Sequence, residues 1–435
     1  MRVLILADNC NPEWPSLPVV AYKAAKAISE HAEVVVVTHI RNRENIEKVG
    51  LGRATVRYVD SEYVARPMFK LATFLRGGTA TSWTTAMAFA YPSYLAFEWE
   101  AWKALRVELL NGEFDLVHRL TPMSPTLPSP FARWSPVPFV LGPLNGGLPW
   151  PPDFRKELVR EREWLSFVRN AYRILPFHRS TYKKSAAILA AFDHTIRDIQ
   201  SYKPTSIVNF PEVGVDPGLF QQFRNKTTNS TKKILFVGRL VPYKLPQVVV
   251  RAFASQPILR SHRLTIVGDG PERQSIERLV KDCGLDSQVE MVGWKTQAEV
   301  AALLSESDIF VFPSIRELGA GAVVEAMACA LACVVVDYGG PGTLISDERG
   351  VRVPLGNFEQ LAQRFGEVLA TLVQDEERIT RLGLAAREHV MQFYTWEAKA
   401  KKTVDVYNWV LGRGPRPDFW STGEMADRAR VSVLR

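Results

Sequence analysis

The chain has 435 residues, 46% of them apolar, and a formal charge of +8. That length supports two cores of ordinary domain size, and no run of eighteen apolar residues suggests a membrane-spanning helix. The positive balance favours an anionic partner such as a nucleotide diphosphate, a phospholipid headgroup or a polyprenyl phosphate; the lack of any helix-turn-helix, zinc-finger or RNP-like pattern argues against nucleic acid.

Apolar runs at 3–7, 34–38, 56–59, 116–118, 137–141, 188–191 and 206–209 alternate with helical stretches at 19–29, 95–110 and 158–172. This alternation predicts an α/β domain with a parallel sheet covered on both faces. The first run reads as a strand and not as a signal peptide, because polar Asp8 and Asn9 follow at once. Four cysteines, at 10, 283, 329 and 333, show no metal-ligand spacing and read as small buried hydrophobes in a reducing compartment, so a cytoplasmic protein is expected. Between Tyr63 and Trp102 the chain is dense in aromatics (Phe69, Phe74, Trp83, Phe89, Tyr91, Tyr94, Phe97 and Trp99), with Arg66, Lys70 and Arg76 nearby. Two readings stand side by side: a surface for an amphiphilic acceptor or peripheral membrane contact, or aromatics packed beneath N-terminal helices.

A polar, irregular seam at 211–231 separates this half from a second, in which strand–helix alternation resumes at Lys233 and gives way to helices after about Val353. Four strand ends of the second half carry the chemistry. Phe236-Val237 runs into Gly238-Arg239, with Lys244 five residues after the arginine; a bidentate guanidinium and a point-charge ammonium at one strand end suit a pyrophosphate. Ile266-Val267 ends in Gly268-Asp269-Gly270-Pro271, and Val289 to Val292 ends in Gly293-Trp294. Ile309 to Phe312 leads through Glu317, Gly319, Ala320, Gly321 and Ala322 into a helix bearing Glu325. Amide groups at that helix start suit anionic oxygens, and carboxylates at 317 and 325 can accept hydrogen bonds from vicinal hydroxyls.

In this order the motifs G-R-x-x-x-x-K, G-x-G-P, a lone strand-end glycine and E-x7-E resemble those of the retaining family 4 glycosyltransferases, specifically across about Lys233 to Leu344. The resemblance implies GT-B architecture, two Rossmann-like doubly wound domains facing across a cleft: an acceptor-binding domain at 1–212, a donor-binding domain at 213–395, a crossover helix at 396–411 and a tail at 412–435. It implies that Arg239 and Lys244 bind the donor diphosphate and Glu317 the sugar hydroxyls. Gly319 to Ala322 would meet the sugar and β-phosphate, Glu325 the ribose, and Gly293-Trp294 would line the base slot, with Gly238 and Gly268 at the same strand ends. From the first half, His118 in Asp115-Leu116-Val117-His118 takes the place of a donor-contacting histidine, and Asn145, Gly146, Gly147 and Ser16 supply cleft loops. The chain departs from the family pattern at Leu318-Gly319-Ala320-Gly321, at Leu120, at Thr343 and in the proline-rich 11–18 loop, where prolines remove N–H donors.

The reaction implied is transfer of a hexosyl unit from a UDP- or GDP-sugar to a hydroxyl acceptor, such as a glycan on a lipid carrier, with no cofactor, no metal ion and no protein general base. A nucleotide-sugar epimerase or hydrolase, and a non-catalytic sugar-nucleotide-binding protein, remain alternatives. A dinucleotide oxidoreductase is disfavoured, since no G-x-G-x-x-G follows the first strand.

Overall fold

The computed structural model describes residues 1–75, 83–161, 172–220 and 230–419. Parts of the expected 158–172 helix, the 211–231 seam and the tail from 412 lie outside the described residues, as do Arg76 and the side chains of Phe74, Trp83 and Phe89.

Two compact units result: 1–147 with 162–214 and 396–435, and 148–161 with 215–395. The first holds strands β1 (Arg2–Ala7), β2 (Glu33–His39), β3 (Thr55–Val59), β4 (Leu116–Thr121), β5 (Phe139–Leu144), β6 (Ala187–Ala190) and β7 (Ile207–Asn209). They form one parallel sheet in the order β3-β2-β1-β4-β5-β6-β7. The second holds β8 (Lys233–Val237), β9 (Arg263–Val267), β10 (Val289–Gly293), β11 (Ile309–Phe312), β12 (Ala332–Val336) and β13 (Gly350–Val353), ordered β10-β9-β8-β11-β12-β13 and again parallel.

Continuous apolar strands follow from burial on both faces: Val3 to Leu6 and Ile309 to Phe312 are fully buried. In the second core Phe310 and Phe312 stack with ring centres 5.7 Å apart, and each such buried ring contributes about 1.5–3 kcal/mol. Strand order reverses beside β1 in one sheet and beside β8 in the other, and open sheets gather ligands at the carboxyl ends of the strands flanking such a point. Cys10, Cys329 and Cys333 are buried free thiols, and Cys283 is half-buried. Burial pushes the Cys10 and Cys329 thiols up to about 12.

The aromatic run before Trp102 divides between the two readings. Tyr94 and Phe97 lie in the first core, whereas Tyr63, Phe69 and Trp99 are exposed. Among the described residues no helix is long and apolar enough to cross a membrane. One placement has no counterpart in the sequence reading: 148–161, from the amino-terminal half, packs with the second unit. Tyr338 donates to the Pro149 carbonyl at 2.8 Å, Arg316 lies 5.0 Å from the Trp150 ring centre, and Arg160 pairs with buried Glu272.

Candidate active site

In the second unit the ends of β8 and β11, neighbours at the strand-order reversal, are tied together by backbone contacts. The turn Pro242–Lys244 offers the Tyr243 carbonyl, which accepts from the Ile315 amide at 3.0 Å and the Ser314 hydroxyl at 3.3 Å. This brings the Arg239–Lys244 and Glu317 motifs to one place. Lys244 Nζ lies 2.5 Å from Glu317 Oε1 and 4.9 Å from the Phe312 ring centre, with the lysine largely buried. Arg239 is exposed and donates to the Tyr243 hydroxyl at 2.6 Å. Burial, then the nearby Glu317 charge, pushes the Tyr243 phenol up to about 12, so it stays a neutral partner for the guanidinium. Tyr243 belongs to no sequence motif of its own, although it stands between Arg239 and Lys244.

The strand-end glycines have packing reasons. Gly268 adopts φ +134°, and a Cβ there would lie 1.9 Å from the Gly238 carbonyl oxygen; the β8 and β9 exits touch backbone to backbone, which only glycine permits. Gly293 passes its carbonyl to the Gly268 amide at 2.8 Å, and Trp294 beyond it is exposed. Gly340, outside the four motifs, donates to the Glu317 carbonyl at 2.8 Å and would place a Cβ 1.7 Å from the Leu318 oxygen. Both sides of the Glu317 loop are therefore fixed by backbone.

The helix Gly321–Ala328 starts from Ala320, a buried residue in left-handed conformation with no side-chain cap, and Gly319, Gly321 and Ala322 flank it half-buried. The helix Pro246–Ser255, which follows Lys244, starts likewise from left-handed Leu245. In the first unit the Leu17–Ile28 helix starts from exposed Ser16 at φ 71°, also without a side-chain cap. By contrast, the helices Gln297–Ser305, Phe358–Leu372 and Glu376–Phe393 are capped by the side chains of Thr296, Asn357 and Asp375. At the start of Gly321–Ala328, Val323 already donates to the Ala320 carbonyl at 2.9 Å, which leaves the earlier uncapped amides for anionic oxygens, whereas Pro246 of the Pro246–Ser255 helix has no N–H to offer. Glu325, one turn into its helix, accepts from Gln297 at 3.1 Å.

The expectation for His118 is corrected. Its ring is buried, with Nδ1 2.6 Å from the Tyr407 hydroxyl and Nε2 2.6 Å from the Gly142 carbonyl oxygen. Both nitrogens are engaged inside the first unit, and burial lowers the imidazole pKa to about 4. The ring presents no free nitrogen to a ligand; it links β4 to β5 and to the helix Trp396–Val410. Nearby, Lys399 on that helix donates to the Pro211 carbonyl and lies 4.4 Å from the Phe210 ring centre, with its amine lowered to about 7 by burial. The cleft-loop residues are also partly committed. Asn145 donates to Glu212, the Gly146 carbonyl accepts from Thr195 at 2.6 Å, and Gly147 is exposed at φ +84°.

The second unit thus joins two cations, a carboxylate and uncapped helix amides at one strand-order reversal, an arrangement fit for an anionic, hydroxyl-bearing ligand on a doubly wound sheet. The chain has the GT-B fold: it superposes on Anabaena HepE in complex with UDP with a TM-score of 0.62 at 15% identity, over 94% of this chain and 100% of that one. Sucrose-phosphate synthase of Thermosynechococcus elongatus gives 0.62 at 18% identity, over 94% and 99%. Residues 220–389 match the family described as Glycosyl transferases group 1. Similar proteins include a D-inositol 3-phosphate glycosyltransferase of Kineococcus radiotolerans, 29% identical over 48% of this chain and 53% of the relative. An N-acetyl-alpha-D-glucosaminyl L-malate synthase of Bacillus anthracis is 30% identical over 42% and 47%. The chain spans about half the length of the curated relatives it matches.

Proposed function

We propose that the chain is a retaining glycosyltransferase that moves a hexosyl unit from a UDP-sugar to a hydroxyl acceptor. The observation carrying this reading is the contact of Lys244 with Glu317 beside Arg239. A sugar diphosphate has two ends of opposite need: phosphate oxygens that take cations, and hydroxyls that take a carboxylate. Anabaena HepE, which has the same fold, is solved with UDP and with UDP-glucose, which favours uridine as the base.

In the proposed reaction the bond between the anomeric carbon and the diphosphate oxygen breaks as a new bond to the acceptor oxygen forms on the same face. The acceptor's proton passes to the departing phosphate. Negative charge grows on the leaving oxygens, where Arg239, Lys244 and the amides that open the Gly321–Ala328 helix stabilise it. Glu317 holds the sugar hydroxyls, Glu325 the ribose, and Gly293-Trp294 the base. His118 acts as a positioning residue for the β4 and β5 ends. These cations supply the charge that a metal ion supplies in other transferases, so the reaction proceeds without one.

A glycan intermediate on a lipid carrier is the first acceptor proposed. The similar D-inositol 3-phosphate glycosyltransferase and N-acetyl-alpha-D-glucosaminyl L-malate synthase favour a small soluble anion as the second. The test is calorimetric titration with UDP, GDP, ADP and their sugar conjugates, first without metal and then with magnesium. Selective, metal-independent binding of the uridine series supports the transferase reading. Binding of UDP-sugar followed by its slow hydrolysis or epimerisation, with no acceptor consumed, would replace it by the related activity of the same site.

A further inference from the structure

Far along the chain from the donor motifs, the first unit displays aromatic side chains that the function above does not use. Trp99 and Trp102, from the long Trp83–Leu110 helix, meet Trp134 of the short helix Phe131–Trp134, with ring centres 5.8 and 5.9 Å away. Trp134 in turn meets Phe177 at 6.1 Å. Trp99 is 48% exposed, Phe177 36% and Ile174, three residues before it, 87%. Tyr91 anchors the turn by donating to the Pro176 carbonyl at 3.4 Å. Phe177 is held at φ 65°, a left-handed backbone that disfavours any residue but glycine. An exposed ring at such a position is a feature that core packing does not explain.

The surroundings are basic. Arg133 adjoins Trp134, and the helix His178–Lys184, which starts at Phe177, carries exposed Arg179, Lys183 and Lys184. Of the acidic groups nearby, Asp198 pairs with Arg173 and accepts from Tyr172, Glu100 pairs with Lys103, and Glu98 is buried. Both acidic side chains at the rim are thereby neutralised. Indole and phenyl rings beside uncompensated Lys and Arg are the composition that lodges at a headgroup boundary.

We infer that this face, built from Trp99, Trp134, Ile174 and Phe177 and fringed by Arg179, Lys183 and Lys184, docks the protein on an anionic lipid bilayer. Apolar tips enter the headgroup layer while the cations meet lipid phosphates. The inference stands apart from the donor chemistry, because vesicle binding needs no nucleotide sugar.

The test is cosedimentation of the full chain with vesicles of phosphatidylglycerol and phosphatidylcholine in equal parts, and of phosphatidylcholine alone, at low and high salt. Expected is retention on the anionic vesicles that falls with salt. Ile174→Ser with Phe177→Asn, asparagine tolerating the left-handed backbone, should weaken retention about tenfold or more. Arg179→Gln, Lys183→Gln and Lys184→Gln should each weaken it roughly fivefold. Circular dichroism and UDP titration of each variant, unchanged from the parent, separate loss of docking from loss of fold. Failure of the parent chain to sediment with anionic vesicles, or variants that sediment as the parent does, would overturn the inference. So would sedimentation equilibrium showing a dimer that Ile174→Ser with Phe177→Asn dissolves, since a second copy would then own this face.

Discussion

The two units share a doubly wound parallel sheet with its order reversing beside the first strand, yet they treat the polar side chains at that point in opposite ways. In the first, His118 lies under the Trp396–Val410 helix with both ring nitrogens bonded, and Arg119 is buried against the carbonyls of Pro122, Ser124 and Leu127. In the second, Arg239 is exposed, Glu317 is half-buried, and the helices after Lys244 and Glu317 begin without side-chain caps. Topology alone therefore does not make a reactive site. What matters is whether another element of the same unit satisfies the polar groups first.

The comparison breaks most visibly if Glu317 proves structural. Glu317→Ala should lower transfer by roughly 10²–10³-fold or more while UDP binds nearly as before; steady-state rates with calorimetry check this, and lost nucleotide binding would move Glu317 into the diphosphate clamp. The sealed side should respond to acid instead. Folded His118 stays neutral down to about 4, whereas the unfolded chain takes up a proton near 6.5, so stability falls as pH drops from about 6.5 toward 4 and is untouched above. Over that window the loss is on the order of 3 kcal/mol, and buried His178 of the same unit, also lowered to about 4, acts in the same direction. His118→Gln should be less stable at pH 7 but decline less steeply, as urea melts at several pH values would show. Next in size, Arg239→Ala should weaken UDP about ten- to a hundredfold with little change in melting temperature. Unaltered affinity would place the clamp elsewhere. Smallest is the contrast of helix starts: Ala320→Gly should stabilise the fold by about 1 kcal/mol through its left-handed backbone, whereas Thr296→Ala should cost about 1 kcal/mol through a lost cap. Both are read from denaturant melts.

Much of this was legible in the sequence because the signals were local. Val3-Leu4-Ile5-Leu6 and Ile309-Phe310-Val311-Phe312 are buried on both faces and so read as unbroken apolar runs. The strand-end glycines stood out for the same kind of reason, since two backbones meet at Gly268 and Gly238. His118 was misread because its fate depends on Tyr407, a partner no local pattern announces. The association of Trp150 and Arg160 with the second unit was equally hidden, for it rests on Arg316 and Glu272, far along the chain.

The hydrogen bond between His118 and Tyr407 spans 289 positions, and that distance has a consequence for biosynthesis. A chain emerging from the ribosome completes the β1–β7 sheet long before it makes the helix that covers His118. The second unit, whose last residue is Thr395, can fold in the interval. The first unit is begun first and finished last, so a nascent protein stalled before Trp396 would carry a complete second unit and an amino-terminal unit still open at its centre.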